Sequence, residues 1–281
     1  MRARQRTDPV AFHAEGPVWS ARWGGLRWVD MFAGDVLSLQ GDTVSRRHVG
    51  TIAAALRPRS TGGAVIALER GFALEDAAGS ITDLGALWDD PGLRMNEGGC
   101  DPDGRFYCGS MAYDQTPGAG ALHRLDPDGT VTRVLQNLTI SNGLEWSPDG
   151  SLAYFNDTPT GRIAVLDYSR ESGLTGLRPF ADIPAEAGHP DGLTVDSEGG
   201  VWVALYGGSA VRRYTPDGRL DGIVEVGATN VTACTFGGPA LRQLFITTSR
   251  ENLGPGQEPL AGSLFVSEVG VAGLPVREFA G

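Results

Sequence analysis

The stretch Ser141-Asn142-Gly143-Leu144-Glu145-Trp146-Ser147-Pro148-Asp149-Gly150 decides the fold. Leu144 and Trp146 flank Glu145 at the two-residue period of a strand. Ser147-Pro148-Asp149-Gly150 then suits a type I turn, with Pro in the second place and Gly in the fourth. Leu152, Tyr154 and Phe155 begin a second strand. The pattern recurs: Asp101-Pro102-Asp103-Gly104 precedes Phe106 and Tyr107, and Asp196-Ser197-Glu198-Gly199 precedes Val201-Trp202-Val203. A degenerate copy starts at Ser20, ahead of Leu26-Arg27-Trp28-Val29. The three clear turns are spaced by roughly 47 residues, and second hairpins with turns at 126–129 and 215–218 lie between them, so each period holds the four short strands of one propeller blade. Hairpins in 61–75 and 230–267 complete six units. The sequence therefore predicts an all-β chain, a single six-bladed β-propeller over residues 1–281.

Composition narrows the function. A net charge of −11 disfavours nucleic acid or an anionic membrane as partner and favours a cation or a neutral small molecule. All 23 basic residues are Arg, which excludes a Schiff-base lysine and the phosphate-binding lysine of a P-loop. No apolar run approaches the length of a membrane span, and no hydrophobic run follows the basic start Met1-Arg2-Ala3-Arg4-Gln5-Arg6. A cytoplasmic location is the expectation, with Cys100, Cys108 and Cys234 as reduced core thiols.

The repeat also points to a site. Five residues before the first turn residue stand Glu15, Asn96, Asn142 and Asp191 in the four copies, each bearing a side-chain oxygen. Equal offsets in equivalent hairpins place them at one height around a central channel. Glu15, Asn142 and Asp191 offer two carboxylates and an amide carbonyl, a hard-oxygen set for Ca²⁺, with Mg²⁺, Mn²⁺ or Zn²⁺ as alternatives. Such a cation polarises a carbonyl and acidifies a water, and Asp191 is placed to act as general base, so lactone or ester hydrolysis follows. Arg94, Asn96 and Asp114 are the candidates for holding a hydroxylated substrate. His13 and His189 stand two positions from Glu15 and Asp191, on the same side by strand alternation. Trp19, Trp28, Trp146 and Trp202 recur beside the turns as blade-packing residues. Neither a Gly-x-Ser-x-Gly elbow nor a His-Glu-x-x-His motif competes.

At these residues the chain resembles the regucalcin/gluconolactonase family of sugar lactonases, sometimes grouped with luciferin-regenerating enzymes. The matching stretches are Glu15-Gly-Pro-Val-Trp19, Arg94-Met-Asn-Glu-Gly98, Asp101-Pro-Asp-Gly-Arg105, Gly109-Ser-Met-Ala112, Ile140-Ser-Asn-Gly-Leu144, Pro190-Asp-Gly-Leu193, Val201-Trp-Val-Ala-Leu-Tyr-Gly207 and Cys234-Thr-Phe-Gly-Gly238. The resemblance implies a six-bladed propeller with one divalent metal in its channel, hydrolysing an aldonolactone to the aldonic acid. It carries the metal-ligand role onto Glu15, Asn142 and Asp191, the base role onto Asp191, and substrate contacts onto Arg94, Asn96 and Asp114. Glu97 departs from the family's frequent Asp, and Asp114 from the Glu of some members. Two other readings stand beside the lactonase: a calcium-dependent phosphotriesterase-like hydrolase, and a non-catalytic calcium-binding propeller.

Overall fold

A computed structural model describes residues 1–281. Its strands form six four-stranded antiparallel sheets. Blades one to five are consecutive in sequence, with inner strands Ala14–Ser20, Ala53–Pro58, Leu93–Cys100, Ser141–Trp146 and His189–Val195. Blade six takes Val231–Gly237, Gln243–Thr248 and Phe265–Glu268 from late in the chain and its outermost strand, Arg4–Gln5, from the start. The pairing of Arg4 with Val266 and Gln5 with Phe265 closes the ring. No helix is long and apolar enough to cross a membrane.

The turns hold for the reasons the sequence suggests. Asp101 Oδ1 accepts the backbone N–H groups of Asp103 and Arg105, each at 2.9 Å, and Asp196 Oδ1 does the same for Glu198 and Gly200. These carboxylates stand in for backbone partners that a tight turn leaves free. Between blades the core is aromatic. Tyr107 meets Trp146 at 5.5 Å between ring centroids, Trp202 meets Phe236 at 5.7 Å, and Trp19 stacks on Phe245 at 5.8 Å. Trp28, Trp146 and Trp202 are fully buried, as blade-packing residues should be. The three cysteines are buried and free.

Every inner strand carries a register irregularity at the same height: Glu15/Val18, Ala53/Ala55, Met95/Gly98, Asn142/Leu144, Pro190/Leu193 and Val231/Cys234. A bulge bends its strand and re-aims a side chain. Six at one level turn a ring of side chains towards the axis. Near that axis the strands crowd. A Cβ on Gly143 would lie 2.8 Å from the Asp191 carbonyl oxygen, and one on Gly192 would lie 2.5 Å from the Ala233 Cβ. The glycines that follow Asn142 and Asp191 are thus required by the approach of neighbouring blades.

Residues 270–281 run across the opposite end of the channel and touch every blade. Arg22 Nε donates to Glu278 (2.5 Å), Phe279 N to Pro58 O (2.8 Å) and Ala280 N to Gly104 O (2.9 Å). Arg277 Nη2 donates to Ser147 O (3.1 Å), Ser197 N to Ala272 O (2.9 Å) and Gly273 N to Leu241 O (2.7 Å). Phe279 is buried in the apolar cluster that spans the first three blades.

Candidate active site

The N-terminal ends of the inner strands surround a cavity of about 410 Å³, lined among others by His13, Glu15, Arg94, Asn96, Asn142, Asp191 and Glu251. Second strands run antiparallel to the inner ones, so the loops that follow them reach the same end. They supply Gln115, Thr158, Tyr206, Glu251 and Asn252 to the rim.

Glu15, Asn142 and Asp191 come together as the five-residue offset requires. All three are buried. Asn142 Nδ2 donates to Asp191 Oδ1 and to Thr158 Oγ1, the latter at 3.2 Å. Glu15 Oε2 accepts the Gly16 N–H at 2.9 Å. Burial holds the Glu15 carboxyl well above the usual carboxylate range, and the Asp191 charge pushes it further. Asp191 is likewise raised, by burial first and then by Glu97. Two buried carboxyls that repel each other, without an arginine salt bridge to either, form an acidic centre that demands a proton or a cation. With the Asn142 amide the set fits a hard divalent ion, so these three are the residues that could hold one. The register puts Ala54 of blade two and Thr232 of blade six at the remaining ring positions. Thr232 Oγ1 donates to the Ala14 carbonyl at 2.6 Å, joining blade six to blade one.

Arg94 is buried beside this centre. Its Nη1 donates to Asn96 Oδ1 (2.7 Å) and to its neighbour's carbonyl on Met95 (3.0 Å). The guanidinium carbon lies 5.3 Å from the Phe32 ring centroid and 5.8 Å from that of Tyr113. Its Nε has no partner, a buried donor left for a ligand. Asn96 lines the cavity, but its amide is already engaged, with Nδ2 donating to Ser141 O at 2.9 Å; it fixes Arg94 as much as it offers contacts of its own. His13 shares its Nδ1 with Ser249 Oγ at 2.7 Å and has a pKa pushed down to about 3, by burial and then by the Arg94 charge. Both influences favour the neutral imidazole. His189 lines the cavity from an exposed position, so both histidines face the site as alternation predicted.

Asp114 is the exception. It is exposed and does not line the cavity; its Oδ1 accepts from Thr116 N (3.0 Å) and Thr116 Oγ1 (2.7 Å). That local turn folds the carboxylate back on its own loop, and the next residue, Gln115, in left-handed conformation (φ 58°), lines the cavity instead. Sequence reasoning also missed Glu251, Tyr206 and Thr158. The available signal was their place at, or just after, the ends of second strands.

Six blades with oxygen-bearing side chains gathered at one end of the channel define a propeller with an axial site. Within that class the chain belongs to the SMP-30/Gluconolactonase/LRE-like family, whose model matches residues 13–250. It is 33% identical to regucalcin of Danio rerio, over 95% of this chain and 94% of that one. It is 34% identical to the 6-deoxy-6-sulfogluconolactonase of Pseudomonas putida, with the same coverage, and 35% to the pentonolactonase XacC of Haloferax volcanii, over 93% and 92%. Among solved structures, a calcium-binding protein, regucalcin, from Agrobacterium tumefaciens superposes with a TM-score of 0.92 at 29% identity, covering 99% of this chain and 96% of that one.

Proposed function

We propose that this chain is a divalent-metal-dependent sugar lactonase that hydrolyses an aldonolactone to the aldonic acid. The observation that carries the reading is the pair Glu15 and Asp191, buried and un-neutralised, beside an arginine with a free buried donor. The names of the Pseudomonas and Haloferax relatives support lactone hydrolysis as the reaction class. Glu15, Asn142 and Asp191 would hold the cation, Ca²⁺ first among the candidates, and it would supply carbonyl polarisation and a more acidic water.

The chain's own residues do the rest. Asp191 takes the water proton at Oδ2, the oxygen that does not accept from Asn142. The water oxygen bonds to the lactone carbonyl carbon, the ring C–O bond breaks, and Asp191 returns the proton to the departing ring oxygen. Arg94, held by Asn96, donates from Nε to the substrate's oxygens. Thr158, Tyr206 and Asn252 offer hydroxyl and amide groups to a polyol. This lining suits a sugar ring better than an aryl phosphotriester. The test is acid release from a panel of aldonolactones by chelated protein, with each metal added back. Metal-restored release is expected; its absence with every metal, despite tight cation binding, would leave a non-catalytic propeller.

A further inference from the structure

Glu251 lies one residue beyond the stretch that the family model matches, on the wall of the cavity. Its backbone is pinned from three sides: its N–H donates to Ser249 Oγ (2.9 Å), and its carbonyl accepts from Asn230 Nδ2 (2.8 Å) and the Tyr206 hydroxyl (3.3 Å). Its carboxylate lies beside the Tyr206 hydroxyl at 3.3 Å and the His13 ring at 3.5 Å. No arginine pairs with it. Yet its charge is felt across the cavity: among acidic groups it is the strongest influence on Arg94, and it also acts on Asp191.

The charge balance gives this position a consequence. Among the charged side chains that line the cavity, the carboxyls of Glu15, Asp191 and Glu251 oppose the guanidinium of Arg94. A divalent cation would match Glu15 and Asp191, leaving Glu251 to match Arg94. Without Glu251 the loaded cavity would carry a net positive charge and attract anions; with it, the cavity is balanced and an anion near the rim meets a fixed carboxylate.

We propose that Glu251 sets the charge of the ligand this cavity accepts, admitting uncharged polyhydroxylated rings and rejecting those that carry a phosphate or sulfonate on the exocyclic carbon. The proposal deepens the lactonase reading by naming its substrate class, but it concerns binding and is testable without turnover. Two unit charges at cavity distances differ in interaction by roughly ten- to a hundredfold in affinity, and partial exposure of the Glu251 side chain places the expectation near the lower figure.

The experiment measures binding of 1,5-anhydroglucitol and its 6-phosphate, neither of which can be hydrolysed, to the Ca²⁺-loaded protein by calorimetry at pH 7.5. The native protein should bind the neutral ring about tenfold or more tightly than the phosphate, Glu251→Gln should erase most of that ratio, and Glu251→Lys should invert it. A control needs no variant: raising ionic strength should tighten the phosphate's binding and leave the neutral ring's unchanged. Equal or tighter binding of the phosphate by native protein, an unchanged ratio in a folded Glu251→Gln, a phosphate affinity indifferent to salt, or no binding of the neutral ring would each overturn the proposal. Charge discrimination in binding with no turnover of any lactone would sink the lactonase reading and leave this one standing. Turnover of neutral and anionic lactones alike would do the reverse.

Discussion

The channel has two ends, and they use acidic residues in opposite ways. At the site end, Glu15 and Asp191 are both buried, and the largest influences on each, burial and then a neighbouring carboxyl, make ionisation harder. At the far end, beneath residues 274–280, a larger cavity of about 590 Å³ is also lined by acids, among them Glu97, Asp101, Glu145 and Glu278. Here each acid has an arginine at hand. Asp101 binds Arg105 Nε at 2.5 Å, Glu278 binds Arg22 Nε at 2.5 Å, and Arg57 draws down both Glu97 and Glu145, which burial raises, Glu97 to about 7. Size does not mark the site. An acid already matched by the protein stabilises the protein, whereas an acid left unmatched is available to a ligand.

The contrast breaks most visibly at Asp191. Asp191→Asn removes the proposed base and one negative charge at nearly constant volume, and should cut turnover by about 10²- to 10⁴-fold while the protein stays folded; full activity would end the catalytic assignment. At the far end, Arg57→Ala should do the opposite kind of harm. It leaves Glu97 and Glu145 uncompensated, and a loss of about 3 kcal/mol in denaturant unfolding is expected, the low end for a buried charge that loses its partner because no direct salt bridge is broken. Lactonase turnover per folded molecule should be much less affected than by Asp191→Asn.

The ends should also differ in pH response. Glu15 and Asp191 have folded pKa values above their unfolded ones, so the metal-free fold binds more protons than the unfolded chain and loses stability as pH rises. His13 and His123, lowered to about 3 and about 4, act oppositely: they cost stability as pH falls below about 6.5. Above pH 7 the histidine contribution is complete, and the raised carboxyls and the three buried cysteines, whose thiols burial also pushes up, slope the same way. Chelated protein should therefore become less stable from pH 7 to 9, by up to about 1.4 kcal/mol per unit for each carboxyl still titrating. Asp191→Asn should reduce that slope, and added metal should remove the carboxyl part of it while the thiol part stays; thermal melts across the range decide. The smallest effect belongs to Asp114: since its carboxylate is turned onto Thr116, Asp114→Ala should change kcat/KM by no more than about twofold. A tenfold loss would return it to the site.

The blade count and the convergence of Glu15, Asn96, Asn142 and Asp191 on one cavity were legible because each rests on one repeated signal, a turn and a fixed distance from it. The bulges that aim those side chains were not. Nothing in Asn142-Gly143 or Asp191-Gly192 distinguishes a bulge from a turn until neighbouring blades press on the glycines. Glu251 was missed because blade six turns at Gly238 without the Asp-Gly signature, so nothing marks Ser249-Arg250-Glu251 as more than a polar loop. Asp114 was misplaced because a hydrogen bond two residues away outcompeted the cavity. The strand Arg4–Gln5 has no apolar alternation and joins its sheet chiefly by backbone pairing, information that resides in its partner Phe265–Glu268.

The seam where chain start meets blade six reaches into folding kinetics. Blade six is incomplete without Arg4–Gln5, and residues 270–281 bind all six blades, so closing the ring joins residues more than two hundred positions apart. Such closures are slow, because a long loop must be ordered before any contact rewards it. Glu15 reaches Asp191 only when blade one docks against blade six, through contacts such as Thr232 to Ala14. Their repulsion is thus absent from the open chain and is felt in full at ring closure. The charges on Glu15 and Asp191 therefore oppose closure of the ring, and whatever neutralises them, proton or cation, favours it.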